Sequence, residues 1–213
     1  NRIRGLLVIA EVAVSFVLLI GAGLLINSFL HLRNLDPGFR SDHLLTMKLN
    51  LSEVKYPDRE RRAAFFDEVM RRVSELAGVQ SAAVAGNLPL TYNGDSMSIS
   101  VEGVPDPPPD QHPDVIYRAI GPGYFTTMGI PIVRGRDFTD QDNGDSKDAV
   151  IISEKTAQQF WPGQDPIGKR LKPGLSTSTS PWREVIGIVK DVRQNDFVAS
   201  PKRQLYFTYR QVE

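Results

Sequence analysis

Residues 6–26 read LLVIAEVAVSFVLLIGAGLLI, in which 14 of 21 residues are Leu, Ile, Val or Phe and one carries a charge. As an α-helix this run reaches roughly 32 Å, against a hydrocarbon core of about 30 Å. On the insertion scale the 14 residues contribute roughly −4 to −8 kcal/mol, whereas one acidic residue near the centre costs about +2.5 to +3.5. Insertion therefore wins in spite of Glu11. A cleavable signal peptide is the competing reading. The apolar run outlasts such a segment and continues into Asn27, Ser28, Phe29 and Leu30 without an A-x-A site, so the helix is read as uncleaved.

Glu11 is the one ionisable group in the span, and Ser15, one turn on, shares its face. A carboxylate at that depth faces protein or water, either as a substrate or coupling contact or as a structural hydrogen bond to a neighbouring helix. Gly21, Ala22 and Gly23 permit close helix approach. Arg2 and Arg4 precede the span, while Arg33 follows it and is soon joined by Asp36. The positive-inside rule places the N-terminus in the cytoplasm and everything after about residue 33 outside.

Residues 36–213 read as a soluble domain. Residues 44–51 (LLTMKLNL) alternate as a strand does, and Tyr56-Pro57-Asp58 opens a helical pattern with Phe66, Val69, Met70, Val73, Leu76 and Ala77 on one stripe. Asp67 with Arg71, Glu68 with Arg72 and Arg71 with Glu75 stand at i,i+4 on the opposite face, and Gly78 ends the helix. With residues 79–85 as a second strand, residues 44–85 are expected to form a β-α-β unit whose strands lie parallel. Further strands are expected at 97–104, 115–120, 130–134, 149–152, 182–189 and 204–209, with a short helix near 154–160. Residues 87–95 are turn-rich. Residues 105–113 hold five Pro and read as a polyproline-like surface spacer rather than a ligand for Pro-binding modules. Residues 175–180 (LSTSTS) read as a flexible loop tip. The fold class is α+β: one N-terminal transmembrane helix, then a mixed-sheet domain containing the β-α-β unit and a more β-rich subdomain. The domain boundaries are 1–35 for helix and stalk and 36–213 for the core domain.

Composition excludes several chemistries. Twenty-five basic residues balance 25 acidic ones, which leaves no broad attraction to nucleic acid. Without Cys there is no thiolate nucleophile or Cys-ligated zinc, and His31, His43 and His112 are scattered. Residues 163–170 (GQDPIGKR) match G-x-x-x-x-G-K but carry Arg where a phosphate loop needs Ser or Thr, and no long helix follows. Asp137, Asp140, Asp142 and Asp145 gather in one loop, out of register for a calcium-binding EF-hand. Ser52-Glu-Val-Lys55 matches S-x-x-K without the companion motifs of acyl-enzyme chemistry. Phe125, Phe138, Phe160 and Trp161 are read as core residues rather than exposed anchors. The sequence nominates no catalytic residue, cofactor site or metal ligand.

Several short motifs fall in a recognisable order: Leu18 to Leu25 at the end of the span, Asp36-Pro37-Gly38-Phe39 at its exit, Pro122-Gly123-Tyr124-Phe125 with Met128-Gly129-Ile130, Gly135-Arg136-Asp137-Phe138, Phe160-Trp161-Pro162-Gly163, Pro166-Ile167-Gly168-Lys169-Arg170, and Val185-Ile186-Gly187-Ile188-Val189. In order and spacing they resemble the extracytoplasmic core domain of MacB-like ABC transporter permeases, within the FtsX-like superfamily. More narrowly the chain looks like acidobacterial permeases that carry two permease halves in one polypeptide. The resemblance implies a piece of a longer protein in the bacterial inner membrane, with three more helices beyond residue 213 and ATP hydrolysis in a separate cytoplasmic ABC ATPase. It also implies the lipid bilayer, a second permease half or protomer and a periplasmic adaptor as candidate partners, with ATP-driven helix motion coupled to export or mechanotransmission. A stiff joint is then required, and residues 27–35 read as its stalk. The alternatives are a single-span anchored sensor or protein-binding ectodomain, and a tethered hydrolase, which the absent nucleophile and metal constellations disfavour.

Overall fold

The computed structural model describes every residue except 1, 34, 92–94, 109, 110, 112, 144–146, 194–199, 212 and 213. It divides into two compact units, 1–36 and 37–213. The first is α1 (Arg2–Arg33), a 32-residue helix with no buried residue. Its Leu, Ile, Val and Phe side chains are exposed all round. A helix apolar on every face has no solvated side, which is the pattern of a membrane span and not of a surface helix.

Among the described residues the second unit carries α2 (Arg59–Ser74), α3 (Tyr124–Met128), α4 (Glu154–Phe160) and eight strands: β1 (Asp95–Met97), β2 (Ile99–Val101), β3 (Val115–Ile120), β4 (Ile132–Gly135), β5 (Ala149–Ser153), β6 (Arg170–Pro173), β7 (Arg183–Val189) and β8 (Gln204–Thr208). They form one mixed sheet in the order β1-β3-β8-β5-β7-β6-β2, with β4 also on β7. The pairs β3·β8 and β5·β7 are parallel and the others antiparallel. β1 and β2 stand at opposite ends of that order although Ser98 alone separates them. The sheet therefore curls until its ends meet there, and Gly174 N–H donates to the Ser98 carbonyl at 2.8 Å. The single strand expected at 97–104 is split by this bend.

The α+β class, the single apolar helix and the mixed sheet agree with the sequence reading; the β-α-β detail does not. Residues 44–51 form no strand. Their alternation sets Leu45 and Met47 on one side, but those side chains are 96% and 72% exposed and no neighbouring strand completes a ladder. Residues 79–85 also lack a strand. Val84 accepts from Gly121 N–H and Gly86 N–H donates to Ala119, both at 2.8 Å, which leaves an isolated antiparallel bridge between Ala85 and Ile120. A crossover between parallel strands exists instead from β5 to β7, through α4 and β6.

Period-2 alternation divides the core into two layers. Val150, Ile152, Leu205 and Phe207 pack on one face with Trp161, Leu171 and Val185, while Ile151 and Tyr206 pack on the other with Tyr124, Phe125, Met128 and Phe138. β5 and β8 are buried on both faces, which accounts for their unbroken apolar runs. Phe125, Phe138 and Trp161 are buried core residues, and Phe160 packs against the layer that holds Trp161. The loop at 175–180 is not a free tip. Buried Lys172 donates to the carbonyls of Ser176 and Ser178, and Asp106 accepts from Ser176 N–H. Of the Pro-rich stretch, 109, 110 and 112 lie outside the described residues, as do 92–94 of the turn-rich one.

β7 accepts β5 along one side and β6 then β4 along the other. At the crossing point a Cβ on Gly187 would lie 2.4 Å from the Arg136 carbonyl oxygen and 3.3 Å from Ile151 Cγ1. Gly187→Ala is therefore expected to lower stability by about 1–3 kcal/mol through overpacking. Urea unfolding of the chain in detergent micelles, followed by Trp fluorescence, reads that loss; an unchanged midpoint would show that β4 can move aside.

Candidate functional site

Where the chain enters its second unit, residues 37–40 are held by contacts from more than one element. The Pro37 carbonyl accepts from Arg193 N–H at 2.9 Å, and Arg40 N–H donates to the Met128 carbonyl at 2.7 Å. Between them Gly38 has φ +83°, and a Cβ there would stand 2.5 Å from the Asp191 carbonyl oxygen and 3.1 Å from Val192 Cα. Phe39 packs on the layer that holds Phe125 and Val192. Residues 37–40 are thus stitched to two elements at once, the extension of β7 and the end of α3.

That extension is itself held from several directions. Lys190 N–H donates to the Pro131 carbonyl at 3.0 Å, and its ammonium stands 3.1 Å from Glu154. The Asp191 carboxylate accepts from Lys155 N–H at 3.0 Å, and the Gln204 amide donates to the Val192 carbonyl. Each hydrogen bond contributes about 0.5–1.5 kcal/mol net, so the anchor as a whole is worth on the order of a few kcal/mol. The sequence marked Asp36-Pro37-Gly38-Phe39 as a motif. It did not mark Asp191, Val192 and Arg193, because their part is played by backbone atoms that any residue supplies.

Glu11 and Ser15 lie in the first unit. The Ser15 hydroxyl donates to the Glu11 carbonyl at 2.8 Å, which satisfies it within the helix, and both residues are exposed on the helix surface. The remaining motifs resolve into ordinary structure. In the G-x-x-x-x-G-K stretch, Gly168 N–H donates to Val185 at 2.9 Å, Lys169 N–H to Pro166 at 3.0 Å and Ile167 N–H to the Asp165 carboxylate at 3.1 Å. Donors that would cradle a phosphate are already committed, and strand β6 follows where the motif needs a helix. In the Asp-rich loop, Asp142 receives a forked pair of bonds from Arg136 at 2.7 and 2.9 Å and one from Thr139 N–H at 2.8 Å. Burial works against its charge, but these donors hold its carboxyl below the usual range. Asp137 accepts from Phe138 N–H at 2.7 Å, and burial raises its pKa. Asp140 pairs with Arg210, whereas Asp145 lies outside the described residues.

Residues 6–213 match the family model described as the MacB-like periplasmic core domain. Over 97 residues the chain is 30% identical to the probable syringafactin export ATP-binding/permease protein SyfD of Pseudomonas syringae pv. tomato, covering 45% of this chain and 14% of that protein. Among solved structures, the periplasmic region of MacB from Actinobacillus actinomycetemcomitans is 18% identical with a TM-score of 0.46, covering 81% of this chain and 60% of that one. The extracellular domain of the ABC-type transporter YknZ from Gram-positive bacteria is 22% identical with a TM-score of 0.45, covering 67% and 62%. The chain therefore spans a small part of SyfD and under two thirds of either solved region.

The anchor makes a differential prediction. Gly38→Ala and Gly78→Ala both place a side chain at positive φ, a strain of roughly 1–2 kcal/mol, but nothing stands within 4 Å of a Cβ at Gly78. Gly38→Ala is expected to cost about 1–3 kcal/mol more. It is also expected to speed amide exchange at Arg40 and Arg193, which Gly78→Ala leaves alone. Equal effects of the two variants would show that the seat on Asp191 is not tight.

Proposed function

Because the chain belongs to the family of MacB-like periplasmic core domains, we propose that it supplies the first membrane helix and the extracytoplasmic domain of an ABC transporter permease, and that motion of α1 is delivered to the domain through the anchor at residues 37–40. The observation that carries this reading is the Pro37 carbonyl bonded to Arg193 N–H beside the seat of Gly38. A helix can drive a domain only through a connection stiffer than what it moves. Residues 37–40 meet that need by joining the end of β7, the strand with three neighbours, to the end of α3.

The rest of the machine is read from the family. The permease sits in the bacterial inner membrane with the domain outside, and a second permease half or protomer completes the pathway. Glu11, with Ser15 on the same face, meets that partner's helices inside the bilayer, since a lone intramembrane carboxylate needs a polar neighbour. ATP hydrolysis resides outside this segment, either in a separate subunit or, as the name of SyfD joins ATP-binding with permease, in the same polypeptide. The energy of hydrolysis is spent on export or on work against a partner in the envelope, with an adaptor as the candidate outer contact.

Reconstitution of the full permease with its ATPase tests the coupling. Gly38→Ala is expected to retain ATP hydrolysis within about two-fold and to lose transport at least ten-fold, while Gly78→Ala keeps both. Glu11→Ala is expected to lower transport with the domain's unfolding midpoint unchanged. Normal transport by Gly38→Ala would reject the anchor as the route, and normal transport by Glu11→Ala would reject a role for the carboxylate. The native reading frame is expected to encode three further apolar spans after residue 213; an end close to that residue would favour the anchored sensor.

A further inference from the structure

The i,i+4 rule pairs Asp67 with Arg71, but the structure does not. Arg71 binds Glu68 and Glu75, both at 2.8 Å, and Arg72 binds Glu68 at 2.6 Å. Those two guanidinium groups draw the Glu68 carboxyl down to about 2. Asp67 turns the other way, toward the residues that follow β8. Arg210 reaches it at 2.6 Å and reaches Asp140 at 2.9 Å with its other terminal nitrogen, while the Tyr209 hydroxyl donates to the same Asp67 oxygen. Burial first, and then the bond to Asp67, pushes the Tyr209 phenol up to about 12, so it stays a donor at any physiological pH. Phe66 meets the Tyr209 ring edge-on at 6.0 Å and continues through Phe65 to Tyr56.

What surrounds this cluster is sparse. No residue of the 16-residue α2 is fully buried, and its apolar stripe is at most half-buried. A cleft of about 390 Å³ separates the helix from the loop that carries Asp140, lined by Ala63, Ala64, Asp67, Asn143 and Arg210 among others. Leu45, Met47, Val54 and Leu76 are exposed. By contrast both ends of this stretch are fixed, at Arg40 on Met128 and at Val84 and Gly86 on Gly121 and Ala119. Leu44 and Ala83 are the last side chains on either side that pack on the core.

We propose that residues 45–82 form a hinged flap, pivoting on those fixed ends, and that the clasp of Asp67 with Tyr209, Arg210 and Asp140 is the catch that holds α2 on the sheet. A helix whose apolar stripe, Phe65, Phe66, Val69, Met70 and Val73, is only half-buried gains less from the hydrophobic effect than a core helix, so its docking leans on a few polar and aromatic contacts. Losing them releases the flap and leaves the sheet folded. This inference concerns the domain alone and does not depend on transport.

Hydrogen exchange on the complete chain in detergent micelles tests it. In Asp67→Ala and Arg210→Met, amides of α2 are expected to exchange at least ten-fold faster, while those of β5 and β7 stay within two-fold of the parent. The double variant is expected to be no faster than the faster single one, because both break one catch. Tyr209→Phe, which removes one hydroxyl and keeps the ring, guards against a variant that fails to fold and is expected to give an increase of roughly two- to five-fold. Unchanged α2 exchange in all three would overturn the proposal. So would acceleration of β5 and β7 by the same factor as α2, which would make the cluster a part of the global fold and not a catch.

Discussion

β7 can hold three neighbouring strands only because Gly187 has no side chain. Arg136, next after β4, crosses so close on one side, and Ile151 on the other, that a single methyl would collide with the Arg136 carbonyl. The remainder of the sheet follows from that crossing. With β5 parallel on one edge and β6 and β4 sharing the other, the far strands must curl round, and Ser98 closes the curve by passing the chain from β1 to β2. The extension of β7, residues 190–193, then leaves the most constrained strand of the sheet and receives the incoming chain at Pro37. The backbone that seats the entry point is therefore continuous with the strand at the sheet centre.

What could be read from the sequence follows the range of the interactions involved. The strands at 115–120, 149–153 and 183–189 declare themselves through β-branched runs, and α2 through its 3.6-residue stripe and the Asp58 cap, which accepts from Arg61 N–H at 2.8 Å. Residues 44–51 alternate just as well. Alternation fixes which side chains share a face, however, and says nothing about whether a partner strand is there to receive the backbone. β6 was hidden inside a stretch that looked like a phosphate loop, because Gly168-Lys169-Arg170 reads as a motif before it reads as the start of a strand.

The anchor and the clasp differ in the same way. Gly38 was visible only as part of the motif at the exit of the span, and its seat on Asp191 lies some 150 residues along the chain and involves backbone atoms. Asp67 was visible as a helix-surface carboxylate. The local rule assigned it to Arg71, since nothing in a window of four residues competes with that pairing. Arg210, 143 residues away, competes successfully because Arg71 already has two carboxylates of its own. Local pairing rules fail where a charge has a better partner across the fold.

The residue types at the two features also separate stiffness from compliance. At residues 37–40 the contacts are backbone hydrogen bonds, a glycine that permits close approach and a partly buried phenylalanine; salt and small side-chain motions scarcely touch them. Between residues 45 and 82 the contacts to the sheet are the Phe66 ring on Tyr209 and a set of carboxylate, guanidinium and phenol groups beside an open cleft, and water and ions can replace the polar ones at modest cost. The proposed drive from the membrane helix requires the domain to be rigid where the chain enters it. Any freedom to move against a partner has to lie beyond that point, and the flap after Arg40 is where the weaker contacts put it.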